Sequence, residues 1–301
     1  MSSMELRELR AFVVVAEEGG MSAAARRLHV SQPALSQTVG MLERRLGVKL
    51  LVRSSAGVQP TEAGMTLLAE ARAVLARHDQ VLRTMAAYTS GDGGVLRVGV
   101  PIELPSDLLG PPLERLAVAH PGTRVQARHL STAAQLTALQ AGELDVGLLR
   151  ERPAGHEFDA MLVSRERLGV LLTAELRGPD GIRLEELTGL EWVGFPRSGS
   201  PAWFDELTAI LRSHGLDLGP AAPEGQELIA EVKLAAVSAG RAFALAPPRW
   251  PQPLPAAVAW SALAGHPLIR RTWAVWPATS RRHDLAGFVA GFRDPADDRP
   301  G

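Results

Sequence analysis

The chain has 301 residues, a formal net charge of −1 and no cysteine. Without cysteine there is no disulfide framework, no thiolate nucleophile and no thiol redox sensor. The eight histidines are scattered without metal-ligand spacing, and we expect neither a metal nor another cofactor. No apolar run approaches the length of a membrane span, and the first residues lack a basic-then-apolar leader. We therefore expect a cytoplasmic protein that makes no contact with a membrane.

Charge is distributed unevenly along the chain. Residues 1–88 carry 11 basic and 8 acidic side chains, whereas the remainder carries 21 basic and 25 acidic ones. A mildly basic N-terminal part on an acidic body fits phosphate binding confined to one end, although the bias is small. The total length suits two or three compact units with their own cores.

Two short helical patterns with a tight break between them lie within residues 22–47. Ser22 can cap the first helix, which is rich in alanine and ends at Leu28, and Ser31 can cap the second. Pro33 falls in the first turn of the second helix, where a missing N–H costs little. Apolar residues then recur at helical spacing and face inward, namely Leu35, Val39, Leu42 and Leu46. The residues left on the outward face near the helix start are Gln32, Pro33, Ser36, Gln37 and Gly40.

In a helix-turn-helix this outward face enters the major groove of DNA. Ordinary helical bundles show the same pattern, but the flanking segments favour DNA binding. An apolar stripe on residues 9–16 can pack behind the two helices, and residues 49–61 have the pattern of a β-hairpin wing. Three helices and a wing form a winged helix-turn-helix. Its candidate DNA contacts are Ser22, Ser31, Gln32, Pro33, Ser36, Gln37, Arg53 and Thr61.

Residues 5–64 resemble the N-terminal domain of the LysR-type transcriptional regulators. The matching residues occur in order and at the family's spacing. They are Glu5-Leu6-Arg7, Phe12, Val15-Ala16-Glu17, Ala23-Ala24, Leu28, Val30-Ser31-Gln32-Pro33-Ala34-Leu35-Ser36, Leu42-Glu43, Leu46-Gly47, Leu50, Arg53, Gly57-Val58 and Thr61-Glu62-Ala63-Gly64. The resemblance implies a bacterial regulator that binds a double-stranded DNA operator, assembles with itself and contacts RNA polymerase.

After Thr61, which can also cap a helix, the pattern stays helical to about Tyr88. Apolar residues at alternating steps of three and four form a seam that a single helix leaves uncovered. Packing within its own domain is one explanation, whereas the resemblance favours a linker helix that pairs two subunits. The candidate dimerisation residues are Leu68, Leu75, Leu82 and Met85.

Beyond residues 89–94, which predict a flexible hinge, strands and helices alternate as in α/β sheets. Two lobes crossed twice by the chain resemble the type-2 periplasmic binding fold of LysR effector domains. Such lobes bind small molecules in the cleft between them. The predicted parts are a winged helix-turn-helix domain over 1–61, a linker helix over 62–88, a hinge over 89–94 and an effector-binding domain over 95–301. The predicted lobes are lobe I, over about 95–165 and 267–301, and lobe II, over about 166–266.

Loops that follow the strands supply the candidate effector contacts. Ser131 and Thr132 precede a helix and can meet an anion together with its N–H groups, but each can equally be an ordinary helix cap. Arg197 can hold a carboxylate bidentately, or it can be a rim residue in a surface ion pair. The full candidate set is Pro101, Ile102, Ser131, Thr132, Arg197, Ser198, Phe243 and Pro247.

Two departures from the LysR pattern affect these expectations. Family members often have a small hydroxyl residue after the first effector strand, where this chain has Pro101-Ile102-Glu103. This change admits a cationic or mainly apolar effector. In the reading helix, positions that are often basic are Gln37 and Gly40, which leaves more of the phosphate binding to Arg53, the wing and dimerisation.

Two other functional classes share part of the pattern. An enzyme fused to a DNA-binding head would need a catalytic constellation, and the sequence has no nucleophile elbow, P-loop, dinucleotide fingerprint or zinc-protease motif. A solute-binding protein for transport would share the two lobes but would have no use for residues 5–64. The sequence therefore predicts a transcriptional regulator controlled by a small-molecule effector, and it leaves open dimer or tetramer, and activation or repression.

Overall fold

The computed structural model describes residues 4–54, 57–90, 94–105, 107–178, 180–219, 230–248, 253–265 and 268–292. The chain divides into two compact units, one reaching to Ser90 and one holding most of the rest. Within the described stretches, none of the helices combines the length and the apolar character needed to cross a membrane. Residues 91–93 of the predicted hinge lie outside the described residues, and so do His266 and Pro267, where the predicted lobe II ends and lobe I resumes.

The N-terminal unit contains three helices, a hairpin and a long helix, as predicted. Their bounds are α1 (Leu6–Glu18), α2 (Met21–Arg27), α3 (Gln32–Leu46), β1 (Leu51–Ser54), β2 (Gly57–Pro60) and α4 (Glu62–Ser90). Two predictions of detail are wrong. Gly20 rather than Ser22 precedes the first turn of α2, so Ser22 lies inside that helix. Leu46 is 40% exposed because α3 ends there, at a left-handed Gly47, before it reaches the core.

The core of the N-terminal unit forms on two sides of α1. On one side Phe12 packs with Leu42 of α3 and Leu50, and on the other Val15 packs with Leu35 and the alanines of α2. Burying α1 in this way fixes α2 and α3 relative to each other, because both helices contact it.

The first half of α4 belongs to this same core. Leu68 and Leu75 are at most 9% exposed and pack with the α1 residues Leu9, Phe12 and Val13. The expectation of a seam without a partner in its own domain is therefore wrong for this half. Further along, Leu82 is 56% and Met85 is 53% exposed, so the second half of α4 presents apolar side chains to solvent.

The C-terminal unit alternates strands and helices, as predicted. Its elements are β3 (Val95–Val100), α5 (Gly110–Ala119), β4 (Arg124–His129), α6 (Thr132–Gln140), β5 (Val146–Leu149), β6 (Phe158–Thr173), β7 (Glu191–Trp192), α7 (Pro201–Ser213), α8 (Ala230–Ser238), β8 (Ala242–Ala246), β9 (Val258–Ala262), β10 (Leu268–Pro277) and α9 (His283–Val289). Short 3-10 helices cover Ala174–Leu176, Leu184–Leu187 and Arg197–Gly199.

Two long strands connect the lobes of this unit. The strand order is β4-β3-β5-β10-β6-β8-β7, and β9 also pairs with β6. The residues of β6 from Phe158 to Leu168 pair with β10, whereas those from Gly169 onward pair with β8 and β9. Lobe I is therefore built around β3, β4 and β5, lobe II around β7, β8 and β9, and the lobes meet where β6 and β10 run together.

A buried carboxylate fastens lobe I. Asp145, just before β5, has a side chain only 2% exposed. It accepts hydrogen bonds from the backbone N–H of Arg97 at 2.8 Å and from the Arg97 guanidinium at 3.0 and 2.8 Å. Arg282 lies 3.1 Å from the same carboxylate and also binds Asp284 in α9. This cluster joins β3, β5 and α9.

We expect Asp145→Asn to lower the free energy of unfolding of the C-terminal unit by about 3 kcal/mol, because it removes the buried negative charge that Arg97 and Arg282 share. All six tryptophans lie between Trp192 and Trp276, so urea unfolding followed by tryptophan fluorescence reports on this unit. Asp159→Asn, at an exposed position of β6, is the control and should shift stability by less than about 0.5 kcal/mol. Equal effects of the two substitutions would contradict the assignment.

Candidate functional site

The helix α3 is held in place at both of its ends. At its start, the Ser31 side-chain oxygen accepts a hydrogen bond of 3.4 Å from the backbone N–H of Ala34, as the predicted cap should. The turn before it is made by His29 in a left-handed conformation, with φ 53°. Toward its end, Arg45 forms a 2.7 Å ion pair with Glu8 of α1, whose side chain is 2% exposed.

The first turns of α3 form the accessible face of the N-terminal unit. Gln32, Pro33 and Gln37 are exposed and Ser36 is half-buried. Ser22 donates a 3.3 Å hydrogen bond to the side-chain oxygen of Gln32, so α2 supports the first exposed amide of α3. The geometry thus brings together the candidate DNA contacts Ser22, Ser31, Gln32, Pro33, Ser36 and Gln37.

The hairpin of β1 and β2 is tied to α3 by one carboxylate. Glu43 accepts hydrogen bonds from the N–H groups of Leu50 at 2.9 Å and Leu51 at 3.3 Å, and from Lys49 Nζ at 2.6 Å. Burial alone would raise the pKa of the Glu43 carboxyl, but Lys49 and the two backbone donors lower it overall. The hairpin of β1 and β2, which is the wing, therefore begins at a fixed distance from α3.

The two candidate contacts in the wing have different outcomes. Thr61 donates a 2.7 Å hydrogen bond to the Lys49 carbonyl and accepts one of 3.0 Å from the Gly64 N–H. Its hydroxyl is used in capping α4, as the sequence predicts. Arg53 lies in β1, and its side chain is outside the described part of the structure.

A cavity of about 390 Å³ lies in the cleft between the lobes of the C-terminal unit. Its walls are mainly apolar and aromatic, with Trp192, Phe195 and Trp203 on the lobe II side. Five predicted contacts line it, namely Pro101, Ile102, Ser131, Thr132 and Ser198. The volume falls within the roughly 300–1,000 Å³ of small-molecule sites in proteins.

Three predicted effector contacts do not line this cavity. Arg197 points to solvent, with a side chain 60% exposed, and forms a two-bond ion pair with Asp205 at 2.8 and 2.7 Å. Phe243 is fully buried in the lobe II core and is not among the residues that line the cavity. Pro247 is buried beyond the end of β8. For these residues the expectation of a lining role is corrected.

A cluster of buried charges forms the polar wall of the cavity. Glu103 accepts hydrogen bonds from Lys233 of α8 and, at 2.9 Å, from Arg270 of β10. Arg270 also donates bonds of 3.2 and 3.1 Å to Glu166, its partner on the neighbouring strand β6. Burial would raise the pKa of the Glu103 carboxyl, but Lys233 and Arg270 hold it below its usual value.

Arg150 completes this wall at the carboxyl end of β5. Its guanidinium donates to Thr272 Oγ1 at 2.6 Å and to the carbonyls of Ile102 at 2.7 Å and Glu103 at 2.9 Å. Its backbone N–H donates a 3.1 Å hydrogen bond to Thr132 Oγ1, which places Arg150 beside the start of α6. Burial, aided by the charge of Arg270, lowers the pKa of Arg150 to about 9.

The three cations of this wall were not predicted from the sequence. Arg150, Lys233 and Arg270 come from three separate elements, and no local motif links them. A signal was nevertheless present for two of them: Arg150 directly follows the fully buried strand β5, and Lys233 interrupts apolar residues in the sequence Ala-Glu-Val-Lys-Leu-Ala-Ala-Val. A charge at such a position requires a buried partner.

Comparison with known proteins agrees with this architecture. The family model "Bacterial regulatory helix-turn-helix protein, lysR family" matches residues 6–65, and the model "LysR substrate binding domain" matches residues 89–294. The chain belongs to the LysR family. It is a DNA-binding transcriptional regulator with an effector-binding domain, and not an enzyme.

Individual transcriptional regulators are similar over most of their length. The transcriptional regulator TcbR of Pseudomonas sp. strain P51 is 33% identical over 260 residues, which cover 82% of this chain and 86% of TcbR. BenM of Acinetobacter baylyi is 31% identical over 250 residues, which cover 81% and 80% of the two chains.

Among solved structures, the LysR-family regulator CbnR is similar in fold. It is 29% identical, with a TM-score of 0.71, over 96% of this chain and 98% of CbnR. Full-length CbnR in complex with its target DNA is similar with a TM-score of 0.68 and 29% identity, over 96% of this chain and 99% of that one.

Proposed function

We propose that this LysR-family regulator reads its operator with the first turns of α3 and changes its DNA binding when a small molecule occupies the cleft. The observation that carries the DNA-reading part is the exposed amide face of Gln32 and Gln37 on a helix fixed at both ends. Glutamine can contact adenine through two hydrogen bonds in the major groove, which is how a helix of this kind distinguishes sequences.

The effector part of the proposal is supported by the cleft. Its cavity touches elements of both lobes, from α6 on one side to α7 and α8 on the other. A ligand there contacts both lobes at once, so its affinity depends on their separation. That difference in affinity between two arrangements is the source of any switch, since a ligand shifts an equilibrium only by its differential affinity.

We also propose that the second half of α4 pairs two copies of the chain. Leu82 and Met85 are exposed there. Two N-terminal units joined in this way would bind operator half-sites roughly 34 Å apart, or a multiple of this distance. As a regulator of transcription the protein would act in the bacterial cytoplasm, as a dimer or tetramer, and would contact RNA polymerase at its promoter.

The base-reading role of Gln32 can be measured on an operator selected from random-sequence DNA with the purified protein. We expect Gln32→Ala to weaken binding to the selected operator by roughly 1–3 kcal/mol, because a bidentate base contact is lost. Binding to random DNA should stay unchanged. Gln126→Ala, on the exposed strand β4, is the control. Equal losses on operator and random DNA would show that Gln32 does not read sequence.

Pairing through α4 predicts a change of mass. We expect Leu82→Arg combined with Met85→Arg to lower the mass found by sedimentation, and to weaken operator binding by roughly 10²–10⁴-fold, because two linked heads bind more tightly than one. Val118→Arg provides a control on α5, at a position that is 85% exposed. A double variant with wild-type mass and wild-type operator affinity would refute the pairing.

A further inference from the structure

The charged side chains that line the cavity, taken together with Glu166, do not cancel. Lys233 and Glu103 form one neutral pair, and Arg270 and Glu166 form a second. The charges that act on Arg150 come from Arg270, Glu166 and Glu103, all of which are already counted in these pairs. The cluster therefore retains one positive charge, that of Arg150.

The excess charge borders the cavity. The bonds of the Arg150 guanidinium described above go to a hydroxyl and two backbone carbonyls, which are neutral acceptors. With a pKa of about 9, Arg150 stays protonated at neutral pH. A cation that is buried without a counter-ion is costly, so an anion entering the cavity would be stabilised there.

Glu103 limits how much negative charge can enter. Its side-chain carboxylate already accepts hydrogen bonds from Lys233 and Arg270. Its backbone carbonyl accepts a 2.9 Å hydrogen bond from each of Arg150 and Arg270. It is held with φ 59°, a conformation that residues other than glycine rarely adopt. Four donors thus fix Glu103 in place, and a ligand carboxylate finds this cation pair already occupied.

The rest of the cavity indicates what kind of ligand would bring the negative charge. Ser200, at the start of α7, is 5% exposed, and its hydroxyl has no hydrogen-bond partner among the described residues. The surrounding wall includes Trp192, Phe195 and Trp203, whose rings suit a flat apolar body.

We propose that the cleft selects a small, largely apolar or aromatic ligand with a single negative charge, and that Glu103 excludes dianions by supplying the second carboxylate itself. This inference rests on the proposed function, in which the cleft is the effector site. It also replaces the expectation that Glu103 admits a cationic effector, because the Glu103 charge is already paired within the protein.

The test uses three probes with the same ring system and different charges: 2-naphthamide, 2-naphthoate and 2,6-naphthalenedicarboxylate. Calorimetric titration of the full-length protein should show 2-naphthoate binding about tenfold or more tightly than either of the others, because only it leaves the buried charges balanced. Glu103→Gln raises the excess charge by one. In this variant we expect the dicarboxylate to bind more tightly than 2-naphthoate.

Two further variants are controls, one for folding and one for the loss of a surface carboxylate. Glu103→Asp keeps the charge and tolerates the left-handed backbone, so it should keep the preference for 2-naphthoate even if Glu103→Gln folds poorly. Glu114→Gln removes an exposed carboxylate from α5 and should leave all affinities unchanged.

An unchanged order of affinities in Glu103→Gln would overturn the role of Glu103 and leave the cleft as a binding site. A wild-type protein that binds none of the probes would overturn the inference altogether. Operator binding by the same samples, measured in parallel, tests the DNA-reading part of the proposed function separately.

Discussion

One arginine on a strand shared by the two lobes organises the C-terminal unit. Arg270 lies on β10, where it bonds to Glu166 on the adjacent strand and to both the side chain and the backbone of Glu103. Because Glu103 in turn holds Lys233 of α8, a single buried cluster links the loop after β3, the paired strands and a helix of lobe II. Such a network is stable only when every member is bonded, so it gives the cleft one defined arrangement.

Buried carboxylates also fix the geometry of the N-terminal unit, with fewer bonds. Glu8 and Glu43 are carboxylates buried in the head, and each fixes one element relative to α3: Glu8 fixes α1 through Arg45, and Glu43 fixes the wing. The exposed amides of α3 are then presented on a rigid helix, as recognition of base edges requires. In both units, buried ion pairs set geometry while apolar cores supply most of the stability.

Much of this fold could be predicted from the sequence, because its signals are local. The Ser31 cap, Pro33 in the first turn and the hairpin before Thr61 follow from the preferences of individual residues. Features that depend on distant contacts were not predictable. The apolar pattern of α4 does not reveal that Leu75 packs on α1 while Leu82 stays exposed.

In the cleft too, residues with a local sequence signal could be predicted, whereas those that depend on distant contacts could not. Ser131 and Thr132 were found because they precede a helix, whereas the sequence could not decide between the two roles of Arg197, which pairs with Asp205 at the surface. The charge balance at Arg150 arises only after five residues from distant parts of the chain have come together.

A crystal structure of the complex with 6-bromo-2-naphthoate would show which group supplies each carboxylate in the cleft, since anomalous scattering from bromine locates the ligand. We expect to find the ligand inside the cleft cavity. The ligand should supply one carboxylate there, and Glu103 should supply the other and stay bonded to Lys233 and Arg270. A ligand carboxylate in the place of the Glu103 side chain, or bromine outside the cavity, would contradict it.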